Sequence, residues 1–101
     1  MHLVQLLLPL VDNAGQAFPR ERFERIAAEL TQRFGGLTAY TRSPAEGHWK
    51  QPGGTHFDDV VVLEVMIETL DRDWWAALRQ RLEQEFRQKE VVVRAQPIER
   101  L

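Results

Sequence analysis

The sequence predicts a single α+β domain in which a four-stranded antiparallel sheet carries two helices on one face. Three observations carry that prediction. Apolar runs of strand length lie at 3–10, 37–42, 55–68 and 91–95. Two intervening segments place their apolar residues at helical spacing. The resulting order is strand, helix, strand, strand, helix, strand, with no internal repeat and no linker, so residues 1–101 form one domain.

Each element has a local cause. The first strand ends at Pro9 and the turn-forming Asp12-Asn13-Ala14-Gly15. Pro19 suits the first position of a helix, where its missing N–H is no loss, and Phe23, Ile26, Ala27, Leu30 and Phe34 then form one stripe. Gly35-Gly36 closes that helix, because glycine accepts the left-handed cap conformation. Ser43-Pro44 breaks the second strand. The third has the strongest strand signal, in Val60 to Ile67. Asp71 is placed to cap the second helix, whose buried stripe is Trp75, Leu78, Leu82 and Phe86. Trp74, beside Trp75, must point elsewhere, to the core margin or a subunit contact. Pro97 closes the last strand.

Composition narrows the function classes. With 44% hydrophobic and 28% charged residues the chain is composed like a folded protein. A net charge of −2 removes the usual electrostatic case for nucleic-acid or anionic-membrane partners. There are no cysteines, which excludes disulfides, thiol catalysis and thiolate metal sites. No Lys or Arg precedes Arg20, so the apolar start reads as a buried strand rather than a signal peptide. A cytoplasmic location is the default expectation. The glycine pairs match neither a phosphate-binding loop nor a dinucleotide fingerprint, and no cofactor is implied.

Strand side chains alternate between faces. Val4, Leu6, Leu8, Val61, Leu63, Val65, Ile67, Val91 and Val93 make one apolar set suited to the helices, with Leu37 and Ala39 beside it. The opposite set is Leu3, Gln5, Leu7, Thr38, Tyr40, Arg42, Val60, Val62, Glu64, Met66, Val92, Arg94 and Gln96. A sheet face meant for water is mainly polar, and this one is half aliphatic, the mark of an interface or a ligand groove. A one-residue slip in register would exchange the two sets.

The element order resembles the ferredoxin-like βαββαβ fold, with strands in the order 4-1-3-2. With its apolar second face, the chain is similar to the dimeric α+β barrel group of that fold, which includes small monooxygenases, isomerases and mutarotases. The resemblance implies a homodimer joined sheet to sheet, with a small-molecule pocket near the second face. It lies in pattern only, so no catalytic residue is carried over. The alternative is a non-catalytic structural or regulatory module whose second face is a filled interface. The RNA-recognition motif shares the order but requires stacking aromatics on the open face. Here the third strand presents Val60, Val62, Glu64 and Met66.

The polar minority of the second face supplies the candidate site. Glu64 and Arg42 are the candidate catalytic residues; Tyr40, Arg94 and Gln5 are candidate ligand contacts. Between arginines, Glu64 is a structural ion pair; in an apolar pocket its pKa rises and it serves as a general base. The connection at 43–59 adds Trp49 and His56. Pro52-Gly53 suits a type II turn, pairing Trp49 with His56 in a hairpin that acts as an interface arm or a pocket lid, or else packs back on its own domain. In that register His48 and His56 point to opposite faces, which argues against a metal site.

Overall fold

Alternation along the first strand decides the layering. In β1 (His2–Pro9), Val4, Leu6 and Leu8 are fully buried, while the residues between them are half-exposed. The computed structural model describes residues 1–42 and 60–101, and in it β1 is followed by α1 (Arg20–Phe34), β2 (Thr38–Arg42), β3 (Val60–Ile67), α2 (Arg72–Glu85) and β4 (Val92–Pro97). The sheet order is β2-β3-β1-β4, antiparallel throughout. This is the expected ferredoxin-like topology. The hairpin proposed around Trp49 and His56 lies outside the described residues.

Apart from the start of the third strand, expected at 55 and so among residues that are not described, strand limits differ from the sequence reading by a residue or two, for identifiable reasons. Beyond Pro9 the chain leaves the sheet for a small hairpin of its own. The Leu10 carbonyl accepts from Phe18 N (3.0 Å), and Val11 bridges to Ala17. The Asp12 carboxylate accepts from the backbone N–H of Ala14 and of Gln16, and Gly15 takes φ 83°. β4 starts one residue late because the Val91 N–H is taken by Glu83 Oε2 of α2 (3.0 Å). It runs on to Pro97, which an edge strand tolerates.

Both helices are closed by local chemistry. Pro19 is the N-cap of α1 (φ −57°, ψ 137°) rather than its first helical residue, so the expected helix start is one position early. Gly35 is left-handed (φ 81°) and donates to Thr31 O. Asp71 caps α2 by accepting from Trp74 N (3.1 Å). At the other end of α2, Gln88 N donates to Glu83 O and Arg87 N to Gln84 O, a Schellman closure that puts Arg87 at φ 51°.

The helices cover one face only. Ile26 and Leu30 of α1, with Trp75, Leu78 and Leu82 of α2, meet Val4, Leu6, Leu8, Leu63, Val65 and Ile67 in a single cluster with Phe86 and Val91. Phe86 is the aromatic centre, 4.9 Å edge-on from Phe18 and 5.5 Å from Phe23. Phe34 stacks on Trp75 at 5.2 Å, and Trp74 stays half-buried at the margin under the Arg33 guanidinium, 4.2 Å from its ring. Charged groups clamp the pair of helices. Glu29 of α1 binds Arg81 of α2 (2.5 Å), which raises the Arg81 pKa. Arg22 donates to Glu85 O at 2.8 Å.

Two substitutions test these assignments by chemical denaturation. Asp71→Ala removes the cap of α2 and is expected to lower stability by about 1 kcal/mol. Phe86→Ala opens a cavity at the centre of the aromatic cluster and is expected to cost about 3–5 kcal/mol, a large share of what a domain this size has. A loss below about 1 kcal/mol for Phe86→Ala would contradict its central role in packing.

Candidate functional site

Strand pairing places the second-face residues opposite one another without reference to the helices. Gln5 of β1 pairs with Glu64 of β3 and with Arg94 of β4, and Thr38 of β2 pairs with Glu64. One polar row therefore crosses all four strands in the order Thr38, Glu64, Gln5, Arg94.

Side chains complete it. Arg94 Nε donates to Gln5 Oε1 (2.8 Å), and Gln5 Nε2 donates to Glu64 Oε2 (2.6 Å). A cation at one end and a carboxylate at the other leave the Gln5 amide one sensible orientation. Each bond polarises the next, since the amide oxygen faces a positive group and its nitrogen a negative one. Arg94 is exposed, while Gln5 and Glu64 are half-buried. The Arg94 influence on Glu64 thus passes through Gln5 rather than through a direct ion pair.

The apolar part of this face is uneven. Met66 is 52% exposed, Val92 43% and Tyr40 39%. Val62 was expected among these interface residues, yet it is 1% exposed and stands outside the cluster packed under the helices. Its cross-strand neighbours are Leu7 and Tyr40. A face with Val62 already covered has less free apolar surface than alternation alone implied.

Two open grooves flank the row. One, of about 540 Å³, is lined by residues including Leu3, Gly35, Gly36, Thr38, Glu64 and Met66. The other, of about 340 Å³, is lined by Leu3, Gln5, Arg94, Ala95 and Gln96. The first lies in the size range of small-molecule sites.

The remaining candidate residues stand further off. Tyr40 is two positions along β2 from Thr38, about 7 Å from the row. The Arg42 backbone pairs with Val60, four positions along, about 13 Å away. Trp49 and His56 lie outside the described residues. Thr38 and Leu3 were not singled out from sequence, because they become site residues only through the β2–β3 register and the position of the α1–β2 turn. The half-buried carboxylate with a bonded amide beside it is suited to accept a hydrogen bond from a ligand hydroxyl, ammonium or water. Among the described residues no group of three or more His, Asp or Glu is arranged to hold a metal ion, and no helix is long and apolar enough to cross a membrane.

No family model matches the chain, and no curated protein matches it. Among solved structures, a phage SAM lyase in complex with S-methyl-5′-thioadenosine is similar, with a TM-score of 0.63 and 16% sequence identity. The likeness covers 94% of this chain and 79% of that one. At such identity it is a likeness of fold alone.

Proposed function

We propose that the chain is a homodimer that binds or transforms a small molecule at the second sheet face, with Glu64 as the central polar group. The observation that carries this reading is the Arg94–Gln5–Glu64 chain. A face needed only for packing is served by apolar side chains, because a polar network on it must be satisfied throughout or it destabilises. Here three strands' worth of polar residues hold one carboxylate beside a groove large enough for a nucleoside-sized ligand. The similar SAM lyase, solved with S-methyl-5′-thioadenosine, supports a ligand of that size on this architecture.

In this reading Glu64 accepts a proton or a hydrogen bond from the ligand, Gln5 sets the carboxylate's orientation, and Arg94 holds the Gln5 amide in place. Tyr40 and Arg42 extend the site along β2. The second copy covers Met66, Val92 and Tyr40, whose exposure is otherwise unexplained, and closes the open grooves from above.

The dimer is tested by sedimentation at micromolar concentration. Wild type is expected to run as a dimer, and Met66→Lys with Val92→Lys as a folded monomer. A monomeric wild type sinks the assembly. Val62 is unsuitable for this test, since a lysine there would enter a buried position.

The site is tested by calorimetric titration with S-methyl-5′-thioadenosine, alongside mass spectrometry of protein purified from its native host for a retained ligand. Glu64→Gln keeps shape and removes charge, so it is expected to change the unfolding midpoint little and to weaken ligand binding at least tenfold. Gln5→Leu is expected to weaken it by a smaller factor. Glu64→Gln that alters stability and leaves ligand behaviour unchanged would make the row a structural device, and the second face a filled interface of a non-catalytic module.

A further inference from the structure

On the helix side of the sheet, away from the Glu64 row, α2 and the β4 edge leave a cleft of about 380 Å³. Its apolar wall includes Leu70, Trp75 and Val93, and its basic residues are His2, Arg72, Arg79 and Arg94. Among the described residues its lining contains no carboxylate. A cleft with charge of one sign and an apolar wall selects anions with an apolar body.

The basic groups differ in availability. Arg94 has its Nε committed to Gln5 on the other face, so it adds little here. Arg79 is anchored by Glu83, but both contacts (3.0 and 3.1 Å) use Nη1, leaving Nε and Nη2 as further donors. Arg72, in the first turn of α2, is exposed at the cleft mouth.

His2 adds a directional signal. Its Nδ1 is buried and has no hydrogen-bond partner. An orphaned buried N–H is rarer and costlier than an orphaned acceptor, so the proton belongs on Nε2. With the proton there, His2 offers an Nε2–H donor in the cleft lining.

We infer that this cleft binds a small organic anion, a carboxylate or phosphate carried on a flat apolar body. Arg72, Arg79 and the His2 Nε2–H take the anionic group, and Trp75 with Val93 takes the body. Arg94 borders both this cleft and the site proposed on the second face, but Arg72, Arg79 and His2 belong to this one alone, so the two fail separately.

The test is an NMR titration of the isotope-labelled full chain with phenyl phosphate, using phenol and benzylamine as neutral and cationic controls. Phenyl phosphate is expected to shift the His2 imidazole, the Trp75 indole and the Val93 amide, with both controls at least tenfold weaker. Arg72→Gln, an exposed change, is expected to weaken phenyl phosphate at least fivefold, while Glu64→Gln leaves it unchanged. Absence of shifts at millimolar phenyl phosphate, equal binding of phenol, an unaffected Arg72→Gln, or loss of binding in Glu64→Gln would each overturn the inference.

Discussion

The pairing of β1 with β3 is the constraint from which the rest of the molecule follows. Its register sets Leu6 opposite Leu63 and Val4 opposite Val65 on one face, and Gln5 opposite Glu64 on the other. Side chains alternate with a period of two, so a slip of one residue would put the polar pair under the helices and the leucines in solvent. The core and the polar row are therefore two consequences of one alignment. Burying Leu6, Leu8 and Leu63 completely holds the register in which Gln5 meets Glu64.

The helices reinforce that alignment from a single side. Phe86, just past α2, gathers Phe18 and Phe23 from the other half of the chain, and Glu29–Arg81 with Arg22–Glu85 joins α1 to α2 over them. Glu83 serves α2 twice, pairing with Arg79 and accepting the Val91 N–H that would otherwise lack a sheet partner. That second bond ties the end of α2 to the start of β4 and so helps set where Arg94 meets Gln5.

With all helical mass on one side, the two faces meet different physical demands. On the helix side the core cluster is buried within the chain, and open clefts remain among the described residues, including the basic one beside β4 and an apolar one between α1 and β2. The other side combines exposed Met66 and Val92 with a bonded carboxylate, a mixture that neither bulk water nor a dry core favours. In the proposed reading a ligand and a second copy would satisfy that mixture together, and the proposed site and the proposed dimer therefore share one surface.

Much of this was legible in the residues alone. Strand and helix order, the Asp71 cap, the Gly35 stop and the Trp75, Leu78, Leu82, Phe86 stripe follow from local chemistry and periodicity, which act within a few residues. Alternation also separates the two faces, so Gln5, Glu64 and Arg94 group together from the sequence alone. The details settled by tertiary contacts were of another kind. Whether Arg94 touches Glu64 or only Gln5, whether Val62 is free or covered, and whether Glu29 pairs along its own helix or across to Arg81 all depend on register and packing between segments far apart in sequence. Periodicity states which way a side chain points but not which partner stands opposite it. For β2, joined to β3 by a long connection whose length leaves the pairing undetermined, only the folded sheet decided that Thr38, and not Arg42, stands beside Glu64.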